Sequence, residues 1–526
     1  MPLQRLLLTV LFWLIPMSAF AGKANVLNMG NGDEPRDLDP HAVTGTPEYH
    51  IVMNLFEPLV EKDPKNLKPI PGVAESWTIS PDGKTYTFKL RKNAKWSNGD
   101  PVTAEDFIYS LTRLLEPKTA SEYAYQGHYV VGGKEYNKGT LTDVSKLGVK
   151  AVDPHTLEYR LVNPVPFFLT LLAHHSFFPI HRKTVEKFGA RWTRPENMVG
   201  NGAFILTKWE VNKVISMKPN PKYWDRKSVK LEEANILPIQ KEETEERMYR
   251  AGQVDVTLSV PSQKIASWKK EAKHSLHQVA HSATYAYFVN VTKPPLNNKW
   301  IRKALAHGFD RHQITEFVSL GGEHPAYAFT VPGMGGFQPK KYLPTDKSDL
   351  AKAKEYLARA GYPNGKGLPP IEILYNTGDN HKKIAEAMQQ MWKTSLGVDL
   401  RLNNQEWKVL LNSQREKNYQ LTRLSWNADY NDPNTFLDLF VSTSPNNISG
   451  FANTEYDGLI EAAGREKDLV KRLEVFQKAE ALLMDELPVI PIYVYNHNYL
   501  QSPRVHGWYE NVEDTHHLKY VSVDAN

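Results

Sequence analysis

The chain has 526 residues, 41% of them hydrophobic and 11% aromatic, so it is too long for one hydrophobic core and two or three domains are expected. It contains no cysteine, which excludes a disulfide framework and a cysteine nucleophile. The formal net charge is +5, and no run of lysine and arginine indicates binding to nucleic acid or to a membrane surface.

Residues 1–21 have the pattern of a cleavable secretory signal peptide. Arg5 supplies the positive charge, residues 6–17 are apolar, and residues 19–21 (Ala-Phe-Ala) are typical of a cleavage site. The apolar run is shorter than the ~20 residues that span a bilayer, so a transmembrane anchor is the less favoured interpretation. Because no cysteine could carry a lipid, we expect a free periplasmic protein and not a lipoprotein.

Strands, turns and helices alternate in the first part of the mature chain. An opening strand and a polar turn lead to a helix for which Thr46 is the expected N-cap. Residues 81–83 (Pro-Asp-Gly) predict a hairpin turn, and the strand that follows alternates apolar and polar residues. Thr103 and Asp106 have the spacing of a capping box at the start of another helix.

The pattern changes at about residue 283. Residues 176–282 contain strand-like segments and one helix, whereas amphipathic helices, the first at 301–318, alternate with strands in the later part. A last strand from residue 489 would return the chain to the first domain. We therefore expect domain I to comprise 22–56, 176–282 and 497–526, domain II to be an insertion at 57–175, and domain III to comprise 283–496. A chain that leaves one lobe and returns to it is typical of a hinged clamp.

Residues 421–438 concentrate polar chemistry in one short stretch. A cation (Arg423), two polar-apolar side chains (Trp426 and Asn427) and a carboxylate (Asp429) occur within seven residues. Alternation over 421–426 predicts a short strand, which ends at the turn residues Asn-Asp-Pro before a helix-like segment. An ordinary buried strand with an aspartate beside a turn is the alternative interpretation.

No motif of an enzyme is present. GxSxG, HExxH and a Walker-type phosphate loop are all missing from the sequence. Adjacent histidines occur at 174–175 and at 516–517, but on strands such pairs would point to opposite faces and chelate poorly. The sequence thus predicts a protein that is not an enzyme, with no cofactor and no metal site.

Three segments together resemble the periplasmic oligopeptide-binding proteins that serve ABC importers: AESWTISPDGKTYTFKLRKNAKWSNGDPVTAEDFIYS (74–110), YNTGDNHKKIAEAMQQMWKTSLGV (375–398) and TRLSWNADYNDPNTFL (422–437). The resemblance covers nearly the whole mature chain. It implies an α/β fold, a two-lobed periplasmic-binding-protein clamp (type II-like) with an additional inserted α+β domain. It also implies a monomer that captures short peptides and delivers them to an inner-membrane ABC permease. The alternative is the same clamp retuned to a murein peptide or to a non-peptide ligand, such as a metal chelate or a bile acid.

The resemblance also implies roles for individual residues. Asp429 would hold the ligand amino terminus, and the strand at Ser425, Trp426 and Asn427 would pair with the ligand main chain. Arg423 would receive the carboxylate of a tripeptide. For longer peptides that role would pass to His381. The aromatic residues Tyr123 and Trp407 match positions that line the cleft, although either could be a core residue.

At several positions the sequence departs from the family pattern. Where the family has a second arginine, this sequence has Gln414, with Arg415 next to it. Where the family has a lysine, this sequence has the segment 317–319 (Phe-Val-Ser), which contains none. These changes leave the preferred peptide length open. The two family cysteines fall at Ala283 and Asn427, so both partners of that bridge are missing together.

Overall fold

The computed structural model describes residues 24–272, 274–345 and 347–525, and the predicted signal peptide lies outside them. Strands and helices alternate along the described chain. The strands are β1 (Val26–Gly30), β2 (Val60–Lys62), β3 (Pro69–Pro71), β4 (Ala74–Ile79), β5 (Thr85–Leu90), β6 (Val149–Asp153), β7 (Thr156–Arg160), β8 (Phe204–Glu210), β9 (Val214–Pro219), β10 (Glu233–Leu237), β11 (Leu276–Val289), β12 (His324–Pro325), β13 (Ile371–Asn376), β14 (Leu400–Gln405), β15 (Leu421–Asn427), β16 (Val489–Leu500), β17 (Val505–His506) and β18 (Ser522–Val523). The α-helices are α1 (Thr46–Leu55), α2 (Ala104–Leu115), α3 (Gly133–Asn137), α4 (Phe168–Leu171), α5 (Arg182–Phe188), α6 (Glu242–Arg250), α7 (Ile265–Glu271), α8 (Lys299–His307), α9 (Arg311–Ile314), α10 (Leu350–Arg359), α11 (Asp379–Leu396), α12 (Trp407–Arg415), α13 (Asn434–Leu437), α14 (Thr454–Arg465) and α15 (Leu469–Glu486).

Two separate four-stranded sheets form in the N-terminal half. One has the order β1-β10-β9-β8, with β1 parallel to β10 and the other neighbours antiparallel. The other has the order β4-β5-β7-β6 and is antiparallel throughout. All strands of the second sheet come from the chain between β1 and β8.

The C-terminal half is organised around a six-stranded mixed sheet of order β12-β16-β11-β15-β13-β14. Its centre is antiparallel, whereas β13 runs parallel to both β14 and β15. Parallel neighbours need long crossover connections, and α11 and α12 supply them between β13 and β15. The long strands β11 and β16 pair with each other and contain the predicted crossings near residues 282 and 496. The exact domain boundaries stay a prediction.

Local details agree with the sequence at some points and differ at others. The hairpin between β4 and β5 and the capping box of α2 are confirmed, with the Thr103 amide donating to the Asp106 carboxylate at 2.7 Å. Thr46, however, is the first residue of α1 and Gly45 is its N-cap. The Thr46 hydroxyl instead accepts a hydrogen bond from Asn427 at 3.0 Å.

The single helix predicted over 301–318 is wrong. The chain forms α8, breaks at Gly308, and restarts as the one-turn helix α9, which continues into a π-helical turn (Thr315–Ser319). The break follows from Asp310, whose side chain accepts from the His312 amide at 2.9 Å and so caps a new helix start. No helix within the described residues is long and apolar enough to cross a membrane.

Candidate functional site

Strand β15 carries the predicted site and has one open edge. On one side β11 pairs with its whole length, from Leu421 to Asn427. On the other side β13 pairs only with Leu421 and Thr422. Within the described chain, residues 423–427 therefore have no strand partner along that edge, which leaves it available to an extended ligand.

The open edge faces two adjoining cavities. The first encloses about 1130 Å³, part of it open to solvent, and is lined by Asp429. The second encloses about 1200 Å³ and is lined by Arg423. Five residues line both cavities and so join them into one cleft: Thr46, Trp407, Ser425, Asn427 and Asp514.

The Asp429 side chain is largely buried, with 9% exposed, and no lysine or arginine of the described chain forms an ion pair with its carboxylate. Gln126 donates to one oxygen at 3.1 Å, and the His174 ring nitrogen lies 3.3 Å from the other. Burial lowers the pKa of His174 well below its ordinary value, so this ring is neutral at pH 7. The nearby cation Lys62 donates to the Asp429 carbonyl oxygen at 2.8 Å and pairs with Glu513.

The carboxyl group of Asp429 responds strongly to this environment. Burial raises its pKa from 3.8 to about 7, although His175, Lys62, Thr435 and Gln126 oppose the rise. An ammonium group entering the first cavity would supply the positive charge that this carboxylate lacks.

In the second cavity the buried charge is positive and belongs to the Arg423 guanidinium. Arg423 is 7% exposed, and its guanidinium donates to Tyr495 at 2.6 Å, to Asn376 at 3.2 Å and to Ser425 at 3.3 Å. All three acceptors are neutral, and the described residues include no hydrogen-bond partner for its Nε atom. No carboxylate of the described chain lies within ion-pair distance of it. The neighbouring His381 contacts Tyr285 at 3.4 Å, and burial together with Arg423 lowers its pKa well below 6.5.

The predicted aromatic residues also line the cleft. The Tyr123 ring packs edge-on against His174 at 4.5 Å and lies 6.5 Å from the Trp426 ring. Trp407 lines both cavities, at the start of α12. Both side chains are largely buried, so each contributes to packing as well as to the cleft wall.

Arg415, Gln414 and the 317–319 segment differ in their access to the cleft. Arg415 is 48% exposed at the edge of the first cavity and forms an ion pair with Glu122 on the opposite wall. Gln414 is buried and donates to the Thr422 hydroxyl and the Arg423 carbonyl, which fixes it against β15. In the 317–319 segment, Phe317 is 73% exposed and Ser319 reaches the second cavity.

Some residues of the site were not predicted from the sequence. Lys62 and Gln126 reach Asp429 from more than 300 residues away, and no local pattern marks them. The histidine pair 174–175 was considered on a strand, but in the structure His175 begins a 3₁₀ turn (His175–Phe177). The two rings of this pair lie 4.1 Å apart. The described residues contain no group of three or more side chains suited to hold a metal ion.

The positions of the two replaced cysteines are direct neighbours. Ala283 on β11 lies opposite Asn427 on β15 in the antiparallel register. A disulfide at these positions would join the strand to its partner at the cleft; here the two strands are held by backbone pairing and by side-chain contacts such as Arg423 over the Tyr285 ring at 4.9 Å.

Comparison with known proteins gives consistent matches over most of the chain. The model of the bacterial extracellular solute-binding proteins, family 5, matches residues 68–448. The Escherichia coli periplasmic oligopeptide-binding protein OppA is 39% identical over 94% of this chain and 91% of its own length. The solved Escherichia coli murein tripeptide binding protein MppA is 38% identical and superposes with a TM-score of 0.92, over 97% of this chain and 100% of that chain.

Two further structures indicate the state of the cleft. Haemophilus influenzae OppA in complex with the peptide RPPGFSPFR is 37% identical and superposes with a TM-score of 0.91, over 96% of this chain and 100% of that chain. The unliganded open form of MppA is 38% identical, covers 96% of this chain and 98% of that chain, and gives a TM-score of 0.65. The structure described here is therefore close to the peptide-bound arrangement, and the predicted two-lobed clamp is confirmed.

Proposed function

This chain belongs to the family 5 bacterial extracellular solute-binding proteins, and on that premise we propose that it captures short peptides in its closed cleft for an ABC importer. Members of this family are binding proteins, so the chain is a solute-binding component. The peptide would be passed to an inner-membrane permease complex.

One observation carries the proposal. Arg423 lies on β15 and Asp429 lies two residues beyond the end of that strand; both side chains are largely buried, face adjoining cavities, and lack a partner of opposite charge among the described residues. Buried charges without partners are costly. A ligand with a free ammonium at one end and a carboxylate at the other would satisfy both.

The strand geometry supports a peptide over another zwitterion. The edge of β15 left free by β13 offers main-chain groups to an extended ligand. Asp429 follows Arg423 by six positions and lies two residues past the end of β15, so their α-carbons are at most roughly 20 Å apart. An extended tripeptide spans roughly 10 Å, and the two side chains, turned into the cleft, take up the rest. This spacing favours a tripeptide when Arg423 receives the carboxylate.

We propose that Ser425, Trp426 and Asn427 pair with the ligand main chain, and that Tyr123 and Trp407 shape the side-chain pockets. His381 lies beside Arg423 and would assist longer peptides. Arg415 would act at the edge of the first cavity. The protein would work as a free periplasmic monomer after removal of residues 1–21, without a lipid anchor.

A murein tripeptide is the second candidate, because MppA shares both the sequence and the arrangement of this clamp. Such a ligand also carries a free amine, so the Asp429 subsite does not separate the two candidates. The two candidates differ in the other chemical groups of the ligand, and recognition of those groups would separate them.

A thermal-shift screen tests the proposal. A saturating ligand that binds only the folded protein stabilises it by about 2.7 kcal/mol at a hundred times its dissociation constant. Protein first freed of bound ligand by unfolding and refolding should melt at a higher temperature with several di- to pentapeptides. If no member of such a library, and no murein tripeptide, shifts the melting temperature, the peptide proposal is wrong.

A further inference from the structure

The cavity that holds Arg423 is also lined by four carboxylates. One of them, Asp514, pairs with the histidines His50, His497 and His516. The other three are Asp33, Glu242 and Glu323. None of them forms an ion pair with a lysine or arginine of the described chain. Burial raises the pKa of all three carboxyl groups, to about 7 for Glu242. Apart from the pair of Asp514 and His497, the described lining of the second cavity therefore contains one buried cation, Arg423, and three acidic groups.

The hydrogen-bond partners of these carboxylates are neutral. Asp33 accepts from the Gln240 amide at 3.0 Å and from the Asn376 amide at 3.3 Å. Glu323 accepts from the Ser319 hydroxyl and from the Gly321 backbone amide. No hydrogen bond to the Glu242 carboxylate is found among the described residues, and the neighbouring Lys383 donates to Gln263 at 2.8 Å.

Asn376 lies between the cation and the first of these acids. Its side-chain oxygen accepts from Arg423 at 3.2 Å, and its side-chain nitrogen donates to Asp33 at 3.3 Å. A cation site and an anion site are thus separated by one amide group. This spacing suits the α-carboxylate and the side-chain cation of a single ligand residue.

We propose that the cleft prefers peptides whose C-terminal residue carries a cationic side chain, with the carboxylate on Arg423 and the cation among Asp33, Glu242 and Glu323. The inference rests on the proposed function and specifies its substrate class. An ammonium or guanidinium group in this cavity gains charge-assisted hydrogen bonds to partly buried carboxylates. An apolar side chain of the same length leaves those carboxylates without a cation, and an acidic one adds repulsion.

The test compares two tripeptides that differ only in the terminal charge of one side chain. Ala-Ala-Lys and Ala-Ala-norleucine have the same number of side-chain carbons. We expect calorimetry at pH 7.5 to show about tenfold tighter binding of the lysine peptide, as a charged hydrogen bond predicts. Asp33→Asn and Glu242→Gln should each reduce this ratio towards one.

Glu243→Gln is the matched control, because Glu243 pairs with Lys264 at 2.8 Å and does not line this cavity. It should keep the wild-type ratio. Equal affinities of the two peptides for the wild type overturn the inference but leave the proposed function intact, since both peptides then bind. Failure of every tripeptide to bind rejects the proposed function and the inference with it.

Discussion

Replacing Asp429 with asparagine removes one charge from the buried cleft and keeps the shape of the side chain. In the closed cleft without ligand, burial moves the pKa of this carboxyl group from 3.8 to about 7. At 1.36 kcal/mol per pH unit, this difference disfavours the ionised carboxylate in the closed cleft, relative to a solvated one, by about 4 kcal/mol at pH 7. Because the pKa is raised in the closed form, the penalty is full above pH 7, falls as the pH decreases, and disappears below 3.8.

A ligand ammonium relieves this penalty, so Asp429→Asn should weaken binding of a free peptide by roughly 2 to 5 kcal/mol. An acetylated peptide, which lacks the positive charge, should bind the wild type about as weakly. The wild-type affinity should also fall above pH 8, where the peptide α-amine, with a pKa of about 7.7–8.0, loses its proton. The asparagine variant should lack this decrease.

Calorimetry of one tripeptide, free and acetylated, with wild type and Asp429→Asn forms a double-mutant cycle. We expect a coupling free energy of at least about 2 kcal/mol between the carboxylate and the ammonium. Asp438→Asn is the control, because Asp438 is buried nearby, bonds to Asn434 and lines neither cavity. It should leave the cycle unchanged. A coupling below about 0.5 kcal/mol would refute the reasoning and make Asp429 a structural residue beside a turn.

Three further outcomes are expected. Arg423→Ala should weaken tripeptides by about tenfold or more and affect longer peptides less, since only one length places its carboxylate there; an equal loss for all lengths in calorimetry would contradict this. The double variant Ala283→Cys, Asn427→Cys should form a disulfide that adds about 2–4 kcal/mol, seen as a melting temperature that falls on reduction. Oxidised protein that melts at the same temperature as reduced protein would argue against this register. Arg472 donates two hydrogen bonds to the buried carboxylate of Asp432, at 2.6 and 3.0 Å. Arg472→Ala leaves that carboxylate unpaired and should lower the free energy of unfolding, measured in urea, by about 3–5 kcal/mol. A decrease below about 1 kcal/mol would show that the pair is dispensable.

Elements with strong local signals could be predicted from the sequence. The alternation over 421–426 gave β15 to within one residue, because apolar side chains on one face must be buried. The capping box at Thr103 and the Pro-Asp-Gly hairpin turn each depend on bonds between residues close in sequence. Such bonds form wherever those residues occur.

The remaining parts of the site depend on contacts across the cleft. Gln126 and Lys62 lie more than 300 residues from Asp429 in the sequence and contact it only in the folded chain, and neither residue stands in a motif. The surplus of acid around Arg423 likewise arises because Asp33, Glu242 and Glu323 come from three distant parts of the chain. The sequence therefore predicted the strand that borders the cleft, but the charge balance of the cavity required the tertiary structure.

The most direct test of the account is native mass spectrometry of the protein purified without denaturation, followed by sequencing of the released ligand. We expect peptides with free amino termini on the wild type and a strongly reduced bound fraction on Asp429→Asn, with both proteins folded. Ligands that lack a free amine, or equal occupancy of the two proteins, would contradict the central claim that Asp429 selects the ligand amino group.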